Sequence, residues 1–180
     1  MASIVEHVLL TSDDDGAEVL ARQAALAAGK APDFAGATAA VLARVRSLGM
    51  ITAGVRLYDG SGLSRDNRIP AASLTSLIDI VAAGGHPALS GVLSGLPVGG
   101  FDGSLLERFR VVGVSGAGYV HAKTGTLAGV TSLAGTVLTR DGALLSFAVL
   151  DDRIGVTSAR PAVDRIAATL AGCGCRSGPG

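Results

Sequence analysis

The sequence predicts an α+β fold: helices first, then an antiparallel meander, then a closing helix. Apolar residues recur at helical spacing in stretches between residues 4 and 83. Past residue 115 the pattern shifts to short β-prone runs joined by an Asp-Gly turn, and a last helical stretch follows. The 180 residues suit one domain, and 48% apolar content is enough for a real core. Lys plus Arg number 15 and Asp plus Glu number 15, so no basic excess exists to displace counterions from a nucleic acid. Aromatic residues are only 3%, which argues against base stacking. No apolar run approaches the roughly 20 residues of a membrane span.

The elements follow in order. Residues 4–10 read as a short helix, closed by the polar break TSDDDG. Residues 15–28 carry strong helix formers, with Val19, Leu20 and Leu26 on an apolar side. Gly29 ends this helix, and 36–48 repeats Ala37, Val41, Leu42, Val45 and Leu48 at helical spacing. Residues 50–57 read as a short strand, and 58–70, YDGSGLSRDNRIP, as a loop shaped by Gly, Ser, Asp and Asn. Pro70 opens a helix over 71–83, with Leu74, Leu77, Ile78 and Val81 on one face. Short helical pieces are expected at 88–94 and 103–110. Strands are expected at 118–124, 130–139 and 143–150, the last apolar on both faces, with Arg140-Asp141-Gly142 as a tight turn. A helix over 158–171 places Val163, Ile166, Ala167 and Leu170 together. Residues 1–172 thus form one unit, and 173–180 read as a disordered tail.

Few residues carry obvious chemistry. His7, His86 and His121 are scattered and show no metal-ligand spacing, so neither metal nor cofactor is expected. The Gly-rich segment 113–120 lacks the strand-turn-helix setting of a dinucleotide site. Cys173 and Cys175 are one residue apart, a spacing poor for a disulfide or for zinc, and read as two free thiols. Lysine occurs only at 30 and 123. Lys123-Thr124-Gly125 falls in a predicted strand, with a glycine that lets a ligand backbone approach closely. The same lysine also reads as an edge-strand charge that prevents aggregation. Ser12 reads as the N-cap of the helix beginning near Asp15, a role compatible with chemistry at its hydroxyl.

Taken in order, Ser12-Asp13-Asp14, DGSGLSRDN at 59–67, GGFDGSL at 99–105 and HAKTGTLAGV at 121–130 form a set. From about Ser3 to about Gly172 the chain resembles the C-terminal half of the D-alanyl-D-alanine carboxypeptidase/endopeptidase family. These are class C low-molecular-mass penicillin-binding proteins, serine peptidases with large inserted domains. The resemblance implies the C-terminal portion of a β-lactamase/transpeptidase-like fold, an antiparallel sheet with helices on both sides. It implies serine-type cleavage of the terminal D-Ala of peptidoglycan stem peptides through an acyl-enzyme, with β-lactams as ligands and no cofactor. Ser12 matches the first position of Ser-x-Asn and Lys123, Thr124 and Gly125 match Lys-Thr-Gly. Ser12 would then relay a proton, and Lys123 would add positive potential beside it. Thr124 would bond the substrate carboxylate. The Thr126 N–H would serve the oxyanion, and Gly125 would keep the strand open to the peptide.

Two departures stand out. Asp14 occupies the substrate-binding position where the family pattern has Asn, and an ionised carboxylate cannot donate to a carbonyl. The Ser-x-x-Lys motif is absent, since Ala27 and Val120 stand three residues before the two lysines. The nucleophile is therefore expected in an N-terminal half of the same protein, which becomes a partner, and this chain alone is expected to be inactive. Without strands from that half, residues 144–150 are expected to expose an apolar edge. The intact protein is expected outside the cytoplasmic membrane, in periplasm or cell wall, although no export signal opens this chain. Two other readings stay open: a non-catalytic module that binds muropeptides or a partner, and a small structural domain.

Overall fold

The first two helices, α1 (Ala2–Thr11) and α2 (Asp14–Ala27), meet at two residues only. The computed structural model describes residues 1–110 and 116–175. Ser12 takes φ 58° and ψ 50°, the left-handed turn that ends α1. Asp13 is extended and caps α2, its carboxylate accepting the Gly16 N–H at 2.9 Å. The cap is thus Asp13 and not Ser12. One residue cannot be left-handed at the end of one helix and extended at the start of the next, so consecutive residues divide the work.

Helix α3 (Phe34–Ser47) packs on α2 through Ala21, Ala25, Ala37 and Ala40, with Val41 beside them. Small side chains let the two backbones close in, and the larger residues are left outside. Val19 and Leu26, expected on the inner side, are accordingly 56% and 52% exposed. The expected strand at 50–57 does not form. Gly54 turns the chain at φ 78°, and only Arg56 pairs, exchanging both backbone bonds with Arg68 at 2.8 and 2.9 Å. Helix α4 (Ala71–Ala82) begins after Pro70, and α5 (Ser90–Ser94) follows a 3-10 turn at Pro87–Leu89. A second 3-10 turn, Gly103–Leu105, is all that forms in the expected helical piece at 103–110.

Strands β1 (Val120–Leu127), β2 (Val130–Leu138) and β3 (Leu144–Asp151) make an antiparallel meander in the order β1-β2-β3. The first hairpin turns through Ala128 and Gly129, the latter at φ 76°. The second turns through the expected Arg140-Asp141-Gly142, with Gly142 carrying the positive φ. Helix α6 (Val156–Gly172) lies across one sheet face. There Val163, Ala167 and Ala171 meet Val120, Ala122, Leu133, Val137 and Phe147 in the main core. Leu105 and Phe109 join it from the segment ahead of β1. Ile166, grouped with the inner residues by its spacing, is 47% exposed. Arg108 fastens that segment to α6 with a forked bond to Asp164, its Nε 3.0 and 3.2 Å from the two carboxylate oxygens. Helix α4 packs along β3 and reaches β2.

Strand β3 is an outer strand with no second partner among the described residues, and Leu144 and Leu150 on it are exposed. Cys173 and Cys175 are joined in a disulfide, which corrects the expectation of two free thiols. The chain leaves α6 extended at Cys173, and the glycine between leaves the two Cα atoms 5.4 Å apart, inside the range a disulfide spans. Residues 176–180 of the expected disordered tail, and 113–115 of the Gly-rich segment 113–120, lie outside the described residues.

Candidate active site

Where the α1–α2 joint meets β1, the sequence-predicted residues come together. Ser12 stands at the joint because the left-handed turn pushes it out between two helices. Lys123 stands on β1, on the face turned away from α6, since Ala122 on the other face belongs to the main core. The Lys123 Nζ donates to Ser12 Oγ at 2.6 Å and to the Thr124 carbonyl at 3.0 Å. Asp14, the first residue of α2, lies near enough for its charge to act on Lys123. Burial holds the lysine below its ordinary pKa, and the Asp14 carboxylate opposes that shift in part.

An ammonium has no lone pair, so Ser12 Oγ accepts in this bond. The Ser12 hydroxyl proton is therefore free to point elsewhere. A serine held this way keeps its proton available to donate, with a cation behind its oxygen.

The outer edge of β1 is half covered. Ala122 N–H donates to Pro97 O at 2.9 Å and Gly99 N–H donates to Val120 O at 2.8 Å. Even-numbered residues of β1 thus turn their backbone groups away from β2. By the same alternation Thr124 and Thr126 present their N–H groups to the edge beyond Pro97, where no strand lies among the described residues. Thr126 is exposed.

Gly125 sits opposite Ser132 on β2. A Cβ at Gly125 would stand 2.3 Å from Ser132 Oγ, so the space the glycine leaves is filled by that hydroxyl. The expectation that Gly125 keeps room for a peptide needs this amendment: on the Lys123 face the room is already taken by a neighbour's side chain. Thr124 Oγ1 donates to Ser104 Oγ at 2.9 Å. Ser104 and Arg65 border the strand without having been singled out. Their signals were the polar Gly-rich loops around them, which specify turns before they specify contacts. Arg65 Nη1 donates to Ala128 O at 3.0 Å, in the turn that follows Thr126 and Leu127.

A family model for the D-Ala-D-Ala carboxypeptidase 3 (S13) family matches residues 1–172. The chain belongs to this family. Carboxypeptidase DacB of Mycolicibacterium smegmatis is 42% identical over 173 residues, which cover 95% of this chain and 37% of the relative. The D-alanyl-D-alanine carboxypeptidase of Actinomadura sp. is 37% identical over 129 residues, 69% of this chain and 23% of that protein. The crystal structure of penicillin binding protein 4 (dacB) from Haemophilus influenzae superposes with a TM-score of 0.82 at 25% identity, over 95% of this chain and 40% of that one. A second structure of that protein, complexed with a β-lactam, gives 0.80 at 26% identity, over 92% and 39% of the two chains. The matches therefore span between 23% and 40% of the length of these relatives.

Proposed function

We propose that this chain supplies one wall of a serine D-Ala-D-Ala carboxypeptidase/endopeptidase site that acts on peptidoglycan stem peptides. The observation that carries this reading is the Ser12–Lys123 bond set beside the open half of the β1 edge. The serine nucleophile, from a Ser-x-x-Lys motif outside this chain, attacks the carbonyl of the D-Ala-D-Ala bond. Its proton reaches the leaving amine through Ser12, whose oxygen is already oriented by Lys123. The Thr126 N–H, turned outward on β1, is one donor for the oxyanion. The ester then yields to water and the shortened peptide leaves. Thr124 and the Lys123 charge hold the terminal carboxylate. The same geometry admits a β-lactam, whose carbonyl is attacked in the same way. Such a protein works outside the cytoplasmic membrane, where peptidoglycan is. Among the described residues no single helix is long and apolar enough to cross a membrane.

One observation favours a second reading. Asp14 stands where the family pattern has a donating Asn, so the hold on the carbonyl to be attacked is lost while Lys123 and Thr124 still face a carboxylate. A module that binds muropeptides or a partner without cleaving them fits this feature. Acylation of the full-length protein by penicillin, followed by mass spectrometry, separates the two. A covalent adduct that forms in the parent and slows on Lys123→Met supports the enzyme. No adduct, with stem-peptide binding retained, supports the module.

A further inference from the structure

We infer that Ser104 is the positioning residue of the Thr124 hydroxyl, a partner that reverses from acceptor to donor when Thr124 turns its proton to a substrate carboxylate. This role rests on the proposed carboxypeptidase reading for its ligand, and on the Ser104–Thr124 bond for its mechanics.

Ser104 stands in a turn with little freedom to move. The 3-10 turn Gly103–Leu105 packs against both α1 and β1. Gly103 takes φ 50°, and a Cβ there would stand 2.5 Å from the Leu10 carbonyl oxygen and 3.1 Å from Pro97 Cγ. Both the angle and the gap call for glycine. Leu10 lies two residues ahead of Ser12, and Pro97 O accepts the Ala122 N–H from β1. The turn is thus wedged between the two elements that bring Ser12 and Lys123 together. Ahead of Ser104, Asp102 Oδ1 accepts the Val98 N–H at 2.6 Å. Behind it, Leu105 is fully buried in the main core, and its carbonyl accepts the Gly100 N–H at 3.0 Å. Both neighbours fix the backbone of Ser104, while the residue itself is exposed.

The Ser104 hydroxyl meets Thr124 alone. Thr124 Oγ1 donates to Ser104 Oγ at 2.9 Å, and Ser104 Oγ has no other hydrogen-bond partner among the described residues. A threonine hydroxyl has one proton, and a carboxylate only accepts. Given to Ser104, that proton does not serve a peptide terminus. To hold the terminus, Thr124 must turn its proton outward, which leaves its oxygen facing Ser104. A hydroxyl at 104 can follow, because it both donates and accepts, and no second acceptor among the described residues holds its proton. The two bonds then run in one direction, from Ser104 to Thr124 to the carboxylate, and each polarises the next. Without such a reversal Ser104 would compete with the carboxylate for the same proton. The two cases differ in the sign of what Ser104→Ala does.

The test uses the full-length protein that carries this chain, with benzylpenicillin and its methyl ester as probes. The ester lacks the free carboxylate. In Ser104→Ala the second-order acylation constant for benzylpenicillin, counted per folded molecule, is expected to fall by about 3- to 10-fold, the worth of one hydrogen bond. For the methyl ester it should stay within about twofold of the parent. Ser104→Thr keeps a hydroxyl and should restore most of the loss. An equal fall on both probes makes Ser104 a support of the fold and overturns the assignment. No change on either probe overturns it as well. A gain on benzylpenicillin shows that Ser104 competes for the Thr124 proton and does not reverse. If the parent is acylated by neither probe, it is the carboxypeptidase reading that fails. The role of Ser104 is then judged by equilibrium binding of a stem peptide ending in D-Ala-D-Ala against the same peptide with a C-terminal amide. A loss in Ser104→Ala confined to the free carboxylate upholds it. Equal affinities in parent and variant, or no binding by the parent, overturn it.

Discussion

The Ser12 hydroxyl and the Lys123 ammonium, 111 residues apart in sequence, are 2.6 Å apart in space. The contact exists because a left-handed residue ends α1 and Lys123 projects from the face of β1 turned away from α6. A non-glycine residue in that conformation costs about 1–2 kcal/mol. The Ser12→Gly variant should therefore be more stable than the parent by about 1 kcal/mol, less whatever the added freedom of glycine in the unfolded chain takes back. It should also lose on the order of a hundredfold or more in β-lactam acylation of the full-length protein, because the relay hydroxyl is gone. Denaturant unfolding and adduct kinetics on the one variant check both halves. A stabilised variant with full activity would remove Ser12 from the mechanism.

Lys123 predicts a rise of stability with pH. Burial holds its folded pKa below the ordinary lysine value of 10.5, with Asp14 in part opposing. Below the folded pKa both states carry the proton, and the desolvated cation weighs on the fold in full. Between the folded and unfolded values the native state has released the proton and the unfolded state has not, so stability climbs. Above both the effect is gone. Unfolding free energies of the parent minus those of Lys123→Met should increase across that window, up to about pH 10.5. A flat difference contradicts the burial of the charge.

Asp14→Asn restores an amide donor and removes one of three consecutive acids. A hydrogen bond of about 1–1.5 kcal/mol to the substrate carbonyl corresponds to about a tenfold gain in kcat/KM. The substitution also deprives Lys123 of the charge that supports its protonated form, so its pKa should fall further. Hydrolysis of a stem-peptide mimic ending in D-Ala-D-Ala, followed against pH, reads both effects. Unchanged kinetics would mean that position 14 does not meet the substrate.

Gly135 is fixed by packing. A Cβ there would stand 2.1 Å from the His121 carbonyl oxygen and 2.5 Å from the Ala122 Cα, both backbone atoms of β1. Neither can move without breaking the central pairing of β1 with β2. Gly135→Ala should cost about 3 kcal/mol or more, at the upper end of overpacking effects, in urea unfolding. A loss below about 0.5 kcal/mol would show that the strands can part here.

The helices were legible because Gly29, Gly49 and Pro70 punctuate a plain periodicity, and the second hairpin because Asp141-Gly142 demands one. The Lys-Thr-Gly strand was legible from its ordered companions. Other features depend on forces that a linear pattern carries poorly. Ser12 and Asp13 are both good caps, and only the tightness of the joint decides between them. The α2–α3 contact is made by alanines, so the larger Val19 and Leu26 misdirect a reading based on apolar bulk. The disulfide depends on the chain path after α6, and Ser104 and Arg65 on where two loops come to rest.

Pro97 and Gly99 occupy only the first half of the β1 edge. This gives the cleft an end-stop. On the proposed function, a guest strand laid beside Thr126 and Thr124 would come to rest against Pro97, as a drawer meets the back of its frame, so that the edge would measure the guest from its end and not by its side chains.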